Sequence, residues 1–172
     1  MGRSVQLTAG AVFAGALACV ALACGGGAGK ALDELALVRT HWTTNAQAWI
    51  AFVERGFAAY DRRDATNAAA LLGQAREKGC TDPLVLFRLA FVTDRLGKGA
   101  EATALYRSIV EPLKAAYPAH PYNSEVWHNL GHIEFRAGRF TNALELYQKA
   151  LAAGRTSAEI KYSLGMACRR LA

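Results

Sequence analysis

The sequence predicts an all-α fold, an α-α superhelix of about three helix-turn-helix repeats closed by one further helix. Three observations carry that expectation. Alanine and leucine dominate a chain that is 52% hydrophobic with a mean hydropathy of +0.08, a composition that favours helix and excludes a disordered tail. Leu130-Gly131 returns 34 residues later as Leu164-Gly165, and stepping back 41 and then 34 residues reaches Leu89-Ala90 and Arg55-Gly56. Between these marks the apolar residues keep one phase: Ala68, Leu71, Leu72 and Ala75, then Ala102, Leu105, Tyr106 and Ile109, then Ala143, Leu146, Tyr147 and Ala150. Each set follows the i, i+3, i+4, i+7 spacing of one helical face. At 172 residues the chain holds one domain with a buried core.

The fullest unit is Trp127-His128-Asn129-Leu130-Gly131 followed by Ala143, Tyr147 and Ala150. It resembles the tetratricopeptide repeat, in which a Trp, a Leu-Gly pair, then Ala, an aromatic and Ala recur with a 34-residue period. The resemblance spans residues 49–172. In the first unit Arg55 takes the place of the leucine, and in the last Lys161 takes that of the tryptophan. Small residues at Gly56, Ala90, Gly131 and Gly165 on first helices, set against Ala68, Ala102 and Ala143 on second helices, predict closely spaced helix pairs.

Along the chain, residues 1–23 read as a signal peptide: a basic Arg3, then an uncharged apolar run from Ala11 to Ala23. Cys24 follows Ala21-Leu22-Ala23, a junction that resembles the lipobox of bacterial lipoproteins and implies lipid attachment at Cys24, with residues 24–30 as a Gly-rich tether. Ordinary cleavage at the same junction, or an uncleaved anchor over residues 5–23, are the alternatives. All three place the remainder outside the cytoplasm, as a periplasm-facing or outer-membrane lipoprotein or a secreted protein. Residues 31–48 read as a helix capping the N-terminal end of the stack, or as a linker. Repeats are expected at 49–82, 83–123 and 124–157, with a capping helix at 158–172 whose Lys161, Arg169 and Arg170 suit an outer face in water.

Asp82, Asn123 and Ser157 precede the later units as helix N-caps, the first strengthened by Pro83. Gly97 and Gly138 suit the left-handed turn between paired helices, and Arg63 holds that slot in the first unit. The 41-residue spacing places its extra length at residues 112–121, predicting an extended or bent second helix and a proline-defined loop, either a recognition loop or a tolerated insertion. Cys80 and Cys168 fall in the first and fourth repeats, beyond the roughly 7 Å Cα separation a disulfide needs, and are expected to be unpaired.

The resemblance implies a ligand groove lined by first helices: Ile50, Val53 and Phe57, then Leu84, Phe87 and Phe91, then Glu125, His128, Asn129 and His132, then Glu159, Tyr162 and Met166. Its early half is apolar and its later half polar, which suits an amphipathic helix or extended peptide, although the same aromatics equally serve to fill the space between repeats. One subset of the family clamps a C-terminal carboxylate with Lys and Asn residues; here Val53 and Phe57 occupy those places and only Asn129 remains, so that reading is rejected. Arg95, Arg136 and Arg170 end first helices, as a basic rim or as complements to the helix dipole.

The expected function is a non-catalytic protein-protein interaction scaffold of the cell envelope, with a protein or peptide ligand and a membrane contact through the N-terminal lipid or anchor. The net charge of +6, from 20 Lys+Arg against 14 Asp+Glu, is interleaved along the chain, so no nucleic-acid partner is expected. No phosphate loop, G-x-S-x-G elbow or C-x-x-C pair calls for an enzyme or a cofactor. Glu125, His128 and His132 at i, i+3 and i+7 offer one carboxylate and two imidazoles to a metal such as zinc. Without an H-E-x-x-H motif, hydrogen-bonding groove residues are the favoured reading, and a metal-binding protein or small metalloenzyme is the alternative. A self-associating structural subunit is the third possibility.

Overall fold

The computed structural model describes residues 33–42 and 48–172, and these fold into eight helices with no strand among them. The expected signal peptide, Cys24 and the expected Gly-rich tether lie outside the described residues. The helices are α1 (Glu34–His41), α2 (Ile50–Asp61), α3 (Ala65–Glu77), α4 (Pro83–Arg95), α5 (Gly99–Ala116), α6 (Tyr122–Arg136), α7 (Phe140–Ala152) and α8 (Ala158–Leu171). The pairs α2/α3, α4/α5 and α6/α7 pack internally, and each second helix also packs on the next first helix, ending with α7 on α8. This is the expected solenoid of three pairs and a closing helix. None of the described helices is long and apolar enough to cross a membrane.

Local chemistry sets the ends of these helices. Asp82 caps α4, its Oδ1 accepting from the backbone N–H groups of Leu84 at 2.8 Å and Val85 at 3.4 Å, with Pro83 in the first helical position. Two of the expected caps are different. Helix α6 starts at Tyr122, after Pro121, and the Asn123 amide instead donates back to the carbonyls of Tyr117, Pro118 and His120, latching the loop before it. Ser157 stands at the start of α8, but its hydroxyl makes no capping bond. The turns inside the pairs are as expected: Gly97 and Gly138 are left-handed at φ 81 and 74, and Arg63 adopts φ 61 in the same slot. The extra length lengthens α5, which runs through Pro112 to Ala116 before the loop to α6.

Most of the core is one continuous cluster from Val38 to Ile133, and a smaller one, Ala143, Tyr147, Ala150, Ile160 and Ala167, joins α7 to α8. Trp127 packs against both. Close pairing is visible at two glycines. A Cβ at Gly131 would lie 2.5 Å from the Tyr147 ring, and one at Gly56 would lie 2.6 Å from Leu72 Cδ2. Gly165 meets nothing within 4 Å. Cys80 is buried and Cys168 exposed, and the two are not bridged to each other.

Helix α1 is an N-terminal helix within residues 31–48, and it packs against α2 and α4. Its Arg39 pairs with Glu54, and its Glu34 with Arg88 and with the Tyr122 hydroxyl. Glu54 and Arg88 each lie two residues, about 200°, around their helices from Gly56 and Ala90, the small residues set toward the second helices. Helix α1 therefore lies on the inner wall. Val38 at its centre is fully buried, with Leu35, Leu37 and Trp42 packed on the main core.

Candidate functional site

The inner wall divides into a largely filled half, which keeps a cavity of about 500 Å³ beside Tyr60 and Phe91, and an open half. In the filled half, Val53 and Leu84 are completely buried and Phe57 and Phe87 are 5% and 3% exposed, so four residues predicted to line an open groove belong to the core. Two causes produce this. Helix α1 lies over α2 and α4, and aromatic rings close the gaps between repeats: Phe87 stacks on Tyr122 with centroids 3.7 Å apart and meets Tyr106 edge-on at 5.4 Å.

Arg88 runs through this half, its guanidinium 4.4 Å from the Phe57 centroid and 4.3 Å from that of Tyr60, with Nε 2.7 Å from Glu34 Oε2 and Nη1 3.4 Å from Asp61. Trp42 Nε1 and the Tyr117 hydroxyl both donate to Asp82 Oδ2 at 2.7 Å, tying the end of α1 and the loop after α5 to the cap of α4. Ile50 and Phe91 are half-buried, and Phe91 meets Tyr60 edge-on at 5.8 Å. Asn129 is already engaged, donating to the Tyr106 hydroxyl at 3.1 Å.

The open half lies between α6 and α8. Here His132, Phe135, Tyr147, Tyr162, Ser163 and Met166 line a pocket of about 320 Å³ together with Glu159. Tyr162 is 69% exposed and Met166 half-buried. His128 is buried, its Nε2 3.3 Å from Ser163 Oγ, while half-buried His132 has its Nδ1 3.2 Å from the Tyr147 hydroxyl. The two imidazoles stand 4.3 Å apart at 67°. Burial pushes His128 down to about 4, helped by its neighbours His132 and Arg155, and burial likewise lowers His132 against the opposing charge of Glu159. Both rings are therefore neutral near pH 7.

The predicted trio of Glu125, His128 and His132 does not assemble. Glu125 is drawn to Arg155, whose Nη1 lies 3.3 Å from its Oε1, while burial raises the Glu125 carboxyl and Arg155 opposes that rise. Glu159 takes its place: donor atoms of His128, His132 and Glu159 all lie within 4.8 Å of one another. Arg155 Nη2 also donates to Glu159 at 2.7 Å. Glu159 carried no signal beyond its place on the wall, because it stands on another helix, and Arg155, Ser163 and Phe135 carried none. The arginines ending first helices do not make a common rim, since Arg136 pairs with Asp94 and Arg170 lies over the Phe140 ring at 5.8 Å.

Stacked helix pairs with a partly filled, partly open inner wall define an α-α repeat solenoid. Residues 83–156 match the family model described as tetratricopeptide repeat, and the described residues share the fold of tetratricopeptide repeat domains. Solved structures agree. The first such domain of the human RPAP3 protein matches with a TM-score of 0.59 at 16% identity, covering 73% of this chain and 94% of that one. The first such domain of Spaghetti (RPAP3), bound to the HSP90 peptide SRMEEVD, matches at 0.60 and 16% identity, covering 74% and 96%. The Sgt2 domain from Aspergillus fumigatus matches at 0.55 and 24% identity, covering 70% and 76%. These likenesses are of fold. A comparison with curated protein sequences finds no match.

Proposed function

We propose that this chain is a non-catalytic interaction scaffold of the cell envelope, which takes a peptide or protein segment in the open half of its inner wall. The observation that carries the reading is Tyr162, a large aromatic left 69% exposed at a pocket shared with Phe135 and Met166. An amphipathic aromatic held beside a concave apolar surface is the chemistry of a protein contact. That a solved domain of the same fold holds a peptide supports it. The core position of Val53 and Phe57 leaves no Lys and Asn clamp for a chain-terminal carboxylate, so the favoured guest inserts an apolar side chain between α6 and α8. Residues 1–23 would direct export, and acylated Cys24 with its Gly-rich tether would hold the domain at a membrane surface.

Photocrosslinking in intact cells tests the docking face, with the reactive group placed at Tyr162 and, as control, at exposed Glu145 on α7. A guest captured from 162 and not from 145, whose binding to the purified chain weakens about tenfold or more in Tyr162→Ala, supports the reading. Equal capture from both positions overturns it, and capture only of further copies of this chain turns it into a self-associating subunit. For the tether, Cys24→Ser should abolish labelling by a radioactive fatty acid and release the protein from the membrane fraction. Unchanged fractionation would remove the lipid.

A further inference from the structure

We infer that His128, His132 and Glu159 form a binding site for a transition-metal dication, zinc by its donor set, at the base of the pocket between α6 and α8. The two histidines stand four residues apart on α6 and so project from one face, while Glu159 comes from the first turn of α8. Their donor atoms already lie within 4.8 Å of one another. Tetrahedral ligands on zinc lie about 3.3 Å apart, as bonds of about 2.0–2.1 Å require. Closing that gap needs a small inward swing of Glu159, which is exposed, and of His132, which is half-buried.

The surroundings hold the imidazoles as metal ligands are held. Ser163 Oγ donates to the Glu159 carbonyl at 3.0 Å, so toward His128 it acts as acceptor. A hydrogen on His128 Nε2, directed at Ser163, would leave the Nδ1 lone pair for a cation. A hydrogen on His132 Nδ1, donated to the Tyr147 oxygen 3.2 Å away, would leave Nε2 for the same use. Glu159 supplies the negative charge, and Arg155 holds its other side. Two imidazoles and one carboxylate favour zinc over magnesium or calcium, and three protein ligands leave a coordination position facing the pocket.

The test uses the full chain, stripped with a chelator and titrated with zinc sulfate alone in a calorimeter, so it does not depend on any peptide. The expected result is one zinc per chain, with affinity at least about tenfold lower in His132→Ala and in Glu159→Gln, and a smaller loss in Tyr147→Phe. Zinc should raise the melting temperature of the wild type more than that of either ligand variant. Cys168→Ser should bind as the wild type does. Glu159 is exposed, so Glu159→Gln is expected to fold even if a histidine variant does not. Absence of binding, equal affinity in Glu159→Gln and wild type, or loss of binding in Cys168→Ser would each overturn the site.

Discussion

Gly131 and Gly165 occupy the same place in successive repeats and face opposite circumstances. At Gly131 a side chain would enter the Tyr147 ring, whereas at Gly165 there is open space. Gly131→Leu should therefore cost about 3 kcal/mol by overpacking, while Gly165→Ala should add about 0.5–1 kcal/mol by helix propensity. Urea midpoints of the two variants check the contrast, and equal effects would mean that the repeats do not share one register. Arg63 carries the left-handed strain that glycine relieves in the later repeats, so Arg63→Gly should stabilise by about 0.5–1 kcal/mol in the same assay.

His120 is 7% exposed, and its Nε2 is buried without a partner among the described residues. Burial lowers its pKa from the ordinary 6.5, with Glu34 on α1 opposing and Arg88 on α4 reinforcing the shift, while the Tyr117 and Tyr122 rings pack on it. The unfolded chain then takes up the proton first, so stability falls as pH drops below 6.5. His120→Asn should flatten, without abolishing, the fall between about pH 7 and pH 5, because His128 and His132 shift in the same direction and remain. Denaturant midpoints across that range give the answer, and an unchanged slope would deny His120 a part in it.

Helix α1 shows what a short segment gains from its neighbours. Eight residues are too few to be helical alone in water. Here Asp33 caps the start by accepting from the Ala36 N–H at 3.0 Å, and Val38 and Glu34 are buried against α2, α4 and α6. The Glu34–Arg88 side chains are 9% and 13% exposed, against 57% and 39% for Arg39–Glu54. Glu34→Ala should therefore cost about 3 kcal/mol by leaving Arg88 and the Tyr122 hydroxyl poorly partnered, while Arg39→Ala should cost about 0.5 kcal/mol or less. Similar losses for both, read from urea denaturation, would show that α1 does not hold the inner wall.

Across the molecule, stability is shared unevenly, as nearest-neighbour packing in a repeat array requires. The main core runs from Val38 to Ile133, whereas α8 rests on α7 through a cluster containing only five buried residues. Amides of α8 should exchange with deuterium about tenfold faster than those of α4 and α5, with α7 between them. Uniform exchange would indicate a single cooperative unit. That end, resting on the smaller core cluster, also carries the pocket between α6 and α8.

Much of this architecture was legible along the chain. Apolar phase, the recurring Leu-Gly pair, the Asp82 cap and the glycine turns are local or strictly periodic features, and they specify helix pairs and the sides that meet. The same register chose the inner wall, but it did not say which part would stay open. Val53, Phe57, Leu84 and Phe87 became core when α1 folded over them, and Arg88 found Glu34 across 54 positions of chain. Glu159 replaced Glu125 beside the two histidines because α8 meets α6 there through Ser163 and His128, whereas Glu125 stands about two helical turns from His132. Periodicity repeats at short range and can be read from spacing; burial, charge pairing and ligand convergence depend on which distant segments are brought together, and no spacing within one helix contains that.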